Sequence, residues 1–221
     1  MKKFLFLLGA FLFCGCFLIA CSYSLSSKVK NHISELTDVL FASDGQTFFI
    51  TLTGGMREEP YVHDGQVATK QPFAVVCVTF FENKTQETLP FSITINNQTT
   101  QGQLEKNPFS PNYMVDLEQA ITATDAITFE LEQTSLVLEC KSCAFSTSPS
   151  QAIEIAIENL NDPLLAQFSN NTFEAECYLK IINNPFQDKN VFYWYFTVRN
   201  SEKTVGTLVI DTMSNNVLAK Y

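Results

Sequence analysis

Residues 73–81 read FAVVCVTFF, an almost uninterrupted run of β-branched and aromatic residues. Such residues favour the pleated surface of a strand, and the lack of polar alternation predicts burial on both faces. Shorter segments with strand character lie around it, at residues 47–53, 89–98, 126–132 and 135–140. Gly, Pro and Asn separate them, and Asn96-Asn97 is a predicted turn. The chain is therefore predicted to be mainly β, with an Ig-like antiparallel β-sandwich over residues 31–140.

Before this region the pattern is helical. Residues 29–40, VKNHISELTDVL, place apolar side chains at Val29, Ile33, Leu36 and Leu40. This spacing puts all four on one face of a helix, so it predicts a short helix or a packed lead-in to the sandwich.

The C-terminal part is predicted to be a separate α+β unit over residues 151–221, after a polar linker at 141–150. Ser148, Pro149 and Gln151 match a helix cap, a first helical position and a capping box. Asp162-Pro163 is predicted to end the helix. Strands are predicted afterwards, at residues 175–182, 191–199, 205–211 and 217–221. The fold class is thus a sandwich followed by a helix-plus-antiparallel-sheet unit.

The N-terminus has the pattern of an export signal. Lys2 and Lys3 precede residues 4–20, which are uncharged and mostly apolar. A helix over those residues spans about 25 Å, which is short for a bilayer core of about 30 Å. The chain continues into Cys21, with Leu18, Ile19 and Ala20 before it.

These four residues resemble the lipobox of bacterial lipoproteins. The resemblance implies that residues 1–20 are a lipoprotein signal peptide and that Cys21 is the lipidated first residue of the mature chain. It also implies that residues 21–30 form a tether and that the protein is anchored in the cell membrane or the outer membrane, facing out of the cytoplasm. The alternative is an ordinary signal or an uncleaved anchor in which Cys21 has no role.

The net charge limits the partners. It is −9 for the whole chain, and loss of Lys2 and Lys3 with the signal lowers it by two, to −11. Nucleic-acid binding needs clustered basic residues, so we expect no nucleic-acid partner.

The last third of the chain resembles a PepSY-like module. The similar segments are residues 150–160 (SQAIEIAIENL), 193–199 (YWYFTVR) and 206–221 (GTLVIDTMSNNVLAKY). In that family the closing strand is followed by Asp, a turn and an apolar pair, which here are Asp211 and Val217-Leu218. Asn216 stands where the family usually has Gly. The resemblance implies no catalytic residues and a protein or peptidase as partner.

Residues 54–66, GGMREEPYVHDGQ, form the candidate binding loop. Charged and titratable residues crowd it: Arg57, Glu58, Glu59, His63 and Asp64. We interpret it as a surface loop with solvated charges and a turn at Asp64-Gly65. It is still the first candidate for a binding site, because function concentrates on loops held by a rigid scaffold. The alternative is a metal-dependent or carboxylate enzyme that uses this loop. Its spacing matches no established ligand set, so no metal and no cofactor are predicted.

The remaining cysteines give weaker predictions. Cys140 and Cys143 form a CxxC, for which a local disulfide is the candidate. A zinc site would need a second CxxC, and a redox pair of the thioredoxin type would open a helix after a strand. Cys77 and Cys177 lie in strand-like runs and are predicted to be buried apolar side chains.

The sequence contains none of the common catalytic motifs. The protein is therefore predicted to be a lipid-anchored extracytoplasmic binding or regulatory module, not an enzyme, acting on a protein or peptidase partner in the cell envelope. A small solute-binding lipoprotein is a further alternative.

Overall fold

The computed structural model describes residues 25–62, 64, 66–184 and 187–221, and most of them are in strands. The strands are β1 (Ile33–Asp44), β2 (Phe48–Glu58), β3 (Lys70–Phe80), β4 (Thr88–Ile95), β5 (Gln98–Lys106), β6 (Asn112–Asp116), β7 (Ile127–Leu131), β8 (Thr134–Cys140), β9 (Phe168–Ser169), β10 (Thr172–Phe173), β11 (Glu176–Asn184), β12 (Asp188–Arg199), β13 (Thr204–Asp211) and β14 (Val217–Lys220). The helices are α1 (residues 25–31), a 3₁₀ turn (Ser142–Ala144), α2 (Pro149–Asn159) and α3 (Asn161–Leu165).

The first eight strands form a closed barrel. Their order is β1-β2-β3-β6-β5-β4-β7-β8, and β8 returns to pair with β1. This closing pair is antiparallel, with Phe41 opposite Cys140 and Ala42 opposite Glu139. The prediction of an open Ig-like sandwich is therefore wrong. Residues 41 and 140 lie about one hundred positions apart, and local patterning does not reveal such a pairing.

The C-terminal strands continue the same sheet. β11 pairs in parallel with the start of β1, from Ile33 to Leu36, and β12, β13 and β14 follow in order. The prediction of a separate helix-plus-sheet unit after the first domain is therefore wrong as well. β1 belongs to both regions, because its first residues pair with β11 and its later ones with β8.

β1 also separates two hydrophobic cores. Val39 and Phe41 point into the barrel, whereas Leu40 and Ala42 point outward into a second core. That second core lies between β11–β13 and the helices, and it includes Trp194. Residues 29–40 were predicted as a short helix or a packed lead-in. Val29 lies in α1, whereas Ile33, Leu36 and Leu40 lie in β1, and all four pack against the second core.

The central run of the sequence is a strand with one fully buried face. Ala74, Val76 and Val78 are buried inside the barrel, but Val75 and Cys77 on the outer face are only half-buried. The other outer-face residues, Phe73 and Thr79, are buried, so the prediction of burial on both faces is confirmed only in part for β3.

Several local predictions are confirmed. Asn96 and Asn97 form the two-residue turn between β4 and β5, with φ of 49° and 69°. Ser148 caps α2 in a capping box with Gln151, and Pro149 is the first helical residue. Asp162-Pro163 does not end the helical region, because both residues lie in α3.

Parts of the segments predicted as tether and linker pack against the second core. The tether's described residues, 25–30, belong to α1, which buries Leu25 and Val29 in the second core. In the linker, Thr147 is buried, and its carbonyl accepts a hydrogen bond from Trp194 Nε1 at 3.0 Å. No helix among the described residues is both long enough and apolar enough to cross a membrane.

Candidate functional site

The candidate loop connects β2 and β3 and is closed at its base. The N–H of Glu59 donates to the carbonyl of Thr69 at 2.9 Å, so the chain leaves and re-enters the barrel at one point. His63 and Gly65 lie outside the described residues, so the predicted Asp64-Gly65 turn and any role of His63 stay predictions.

The buried side chain of Glu58 fixes the C-terminal end of this loop. Its side chain is buried, with 1% of the residue exposed, and Oε2 accepts a hydrogen bond from the N–H of Ala68 at 3.1 Å. Oε1 lies near Ser34 Oγ, but neither atom forms a hydrogen bond of normal geometry. Burial raises the pKa of Glu58, and the carboxylates of Glu176 and Asp64 add to this shift. The expectation that the loop's charges are solvated is therefore wrong for Glu58.

Glu176 holds the middle of the loop. It is the first residue of β11 and is also 1% exposed. Its Oε1 accepts the N–H of Asp64 at 3.0 Å, and its Oε2 accepts the hydroxyl of Tyr178. A carboxylate that accepts two hydrogen bonds is well suited to burial. The loop of the barrel is thereby fixed to a C-terminal strand.

Tyr61 adds a third attachment. Its hydroxyl donates to Glu35 Oε2 at 2.7 Å, and Lys180 Nζ lies 2.9 Å from the same oxygen. Burial and the Glu35 carboxylate together raise the pKa of the Tyr61 hydroxyl. The Tyr61 ring packs edge-on against Tyr178, with ring centroids 6.1 Å apart.

Arg57 and Glu59 have other positions. The Arg57 guanidinium forms an ion pair with Asp116 of β6 and lies 5.0 Å above the Phe73 ring. It therefore stabilises the barrel wall. Glu59 is exposed at the base of the loop.

A cleft of about 830 Å³ lies beside the loop. Asp64 and Gln66 form one wall, and the β9–β10 hairpin and the β12–β13 turn form the other. Its lining includes the carboxylates of Asp64, Glu174 and Glu202, and none of its described lining residues is Lys or Arg. The cleft therefore has a negative surface.

His32 also lines the cleft. Its Nδ1 lies 2.8 Å from the carbonyl oxygen of Lys28, which can only accept, so Nδ1 carries a proton, and in the neutral ring Nε2 is an acceptor. The ring packs edge-on against Phe173, with centroids 5.2 Å apart. This fixed ring and the three carboxylates give the cleft hydrogen-bond acceptors suited to a ligand with N–H donors.

Of the five charged or titratable residues singled out in the loop, the structure places only Asp64 among the described residues that line the cleft. Arg57 and Glu58 support the fold instead. Sequence analysis missed the opposite wall and the anchor Glu176. A glutamate at the start of the apolar run ECYLKII was the available signal, because a charged residue in such a strand is unusual unless it has a specific partner.

The other predicted groups are found as follows. Cys140 and Cys143 are joined by a disulfide, Cys177 is buried and Cys77 is half-buried. His, Cys, Asp and Glu side chains form no group of three able to hold a metal ion within the described part of the chain. Cys21 lies outside the described residues.

Comparison of the chain with protein-family models, with curated proteins and with solved structures finds no match. The lipobox and PepSY-like resemblances therefore stay predictions.

Proposed function

We propose that the protein is a lipid-anchored extracytoplasmic binding module that holds a positively charged segment of a partner protein in the cleft beside the loop of residues 59–69. The observation that carries this proposal is the way in which the cleft wall is fixed. Buried carboxylates of β2 and β11 each bind a backbone N–H of the loop. Fixing a loop before binding reduces the ordering cost of the complex.

The charge of the cleft supports the choice of partner. Asp64, Glu174 and Glu202 are all exposed, so they can form hydrogen bonds with a ligand without first breaking a buried network. A Lys or Arg side chain supplies several N–H donors and a positive charge, and charge complementarity selects partners and speeds association.

A lipid on Cys21 would place this cleft near the membrane. Leu25, where the packed helix α1 is first described, is four residues after Cys21, and four residues reach at most about 14 Å. Lys28 of α1 donates from Nζ to the carbonyl of Asn171, in the hairpin that forms one cleft wall, at 2.7 Å. A partner at the membrane surface therefore fits this arrangement best.

The proposal is tested by capture from native membranes with a variant in which the cleft carboxylates are neutralised. Asp64→Asn, Glu174→Gln and Glu202→Gln together remove three charges and keep the side-chain shapes. We expect the captured partner to fall at least about tenfold, which corresponds to about 1.4 kcal/mol. Mass spectrometry of the membrane-extracted protein should show an acylated peptide that begins at Cys21.

The matched control neutralises three exposed glutamates of the barrel, Glu105, Glu118 and Glu130. It has the same net charge as the cleft variant, so it should capture as well as the unmodified protein. Equal capture by both variants would refute the cleft as the site. An intact Met1, or an unmodified terminus at Ser22, would refute the lipid anchor.

A further inference from the structure

The seam where the barrel closes depends on the CxxC segment. β8 ends at Cys140, opposite Phe41 of β1. The next two residues extend the contact, because the N–H of Lys141 donates to the carbonyl of Leu40 at 2.8 Å and Ser142 Oγ accepts the N–H of Leu40 at 3.0 Å. Residues 140–143 therefore supply a large part of the hydrogen bonding between the two ends of the barrel.

The disulfide in this segment is open to attack. Cys143 is exposed and Cys140 is half-buried, so an external thiolate can reach Cys143 Sγ from solvent. The two cysteines are three positions apart, and a bond that closes so short a loop restricts the unfolded chain little. The disulfide is therefore expected to add little to the free energy of unfolding.

Each sulfur also has a group placed for the reduced state. Ser142 Oγ lies 3.7 Å from Cys140 Sγ, and because that oxygen accepts from Leu40, its own proton can point to the sulfur. Cys143 Sγ lies 3.6 Å from the carbonyl oxygen of Ala123. A disulfide sulfur has no proton to donate to that carbonyl, whereas a thiol has one.

We infer that the Cys140–Cys143 pair is a thiol-exchange site that takes electrons from a dithiol and thereby loosens the barrel seam. A thiolate of the dithiol attacks Cys143 Sγ, and the Cys140–Cys143 bond breaks. Cys140 leaves as a thiolate that accepts the Ser142 hydroxyl proton as a hydrogen bond and then a proton from solvent.

The second thiolate of the reductant then attacks its own sulfur in the mixed disulfide and releases Cys143, which also takes up a proton. The protein gains two electrons and two protons, and the dithiol becomes a cyclic disulfide. The CxxC loop is then no longer cross-linked. Leu40 is expected to lose protection because its hydrogen-bond partners, Lys141 and Ser142, lie within that loop.

The test uses the folded full-length protein with dithiothreitol, followed by alkylation and hydrogen exchange. Mass spectrometry should find alkyl groups on Cys140 and Cys143 while the fully buried Cys177 stays unmodified, which shows that reduction occurs without unfolding. Amide exchange at Leu40 should accelerate about tenfold or more, and exchange in the β2–β3 ladder should not change.

A double variant, Cys140→Ser with Cys143→Ser, should show the faster Leu40 exchange without any reductant. Two results would overturn the inference. One is alkylation of Cys140 and Cys143 only under conditions that also modify Cys177. The other is a Leu40 exchange rate that is the same in the oxidised protein, the reduced protein and the double variant.

Discussion

Replacement of Glu176 by Ala tests how the cleft wall is held. The substitution removes the acceptor of the Tyr178 hydroxyl and of the Asp64 N–H. Tyr178 is buried, so loss of its acceptor costs about 1–3 kcal/mol. Asp64 is exposed, so water can replace the lost hydrogen bond there and the added cost is about 0.5 kcal/mol. We expect the free energy of unfolding to fall by about 1.5–3.5 kcal/mol.

Urea denaturation measures this change, and hydrogen exchange at the Asp64 amide locates it. Exchange at Asp64 should accelerate at least about tenfold, because the loop loses the bond that fixes its middle. Glu176→Gln is the matched control: it keeps an acceptor for the Asp64 N–H and removes the charge. It should change the unfolding free energy by less than about 1 kcal/mol. Unchanged Asp64 exchange in the Ala variant, with a loss below about 0.5 kcal/mol, would refute the anchoring role.

Three further changes have defined outcomes. Ser148→Ala removes the cap of α2 and should lower the unfolding free energy by about 1 kcal/mol in urea denaturation; no change would contradict the cap. Burial raises the pKa of Glu58 in the folded protein, so its contribution to stability is present at acid pH and is lost as pH rises through that pKa. Glu58→Gln does not titrate, so its melting temperature relative to the unmodified protein should rise from pH 4 to pH 8, and a constant difference would contradict the shift. Gly55→Ala would put a Cβ 1.9 Å from the carbonyl oxygen of Leu36. We expect the free energy of unfolding in urea to fall by about 3 kcal/mol or more. A fall below about 1 kcal/mol would show that β1 moves to make room for the Cβ.

Local structure could be read from the sequence where local chemistry determines it. The turn at Asn96-Asn97 requires positive φ, which Asn tolerates, and the cap at Ser148 depends on residues within the same helical turn. Both features are present as predicted. β5, in contrast, was not predicted. Its sequence QTTQGQLEK is polar, and it forms a strand because it pairs with β4.

The closed barrel could not be predicted because it depends on contacts between distant residues. The β1–β8 seam and the parallel β1–β11 pairing both use β1, in which Ile33, Leu36 and Leu40 have the spacing of a helix face. The full candidate site could not be predicted for the same reason. The loop around Asp64 was recognisable by its charges, but Glu174 and Glu202 reach the cleft only through the pairing of β11 with β1.

The most direct test of the cleft as the binding site is site-specific photo-crosslinking in native membranes. A photoreactive residue replaces Gln66 on one wall, Asn200 on the other wall, or the exposed Gln101 on β5 as the control. We predict that the Gln66 and Asn200 probes crosslink to the same partner protein, at peptides that contain Lys or Arg, and that the Gln101 probe does not. Crosslinking of that partner from Gln101 alone, or with equal yield from all three positions, would contradict the cleft as the binding site.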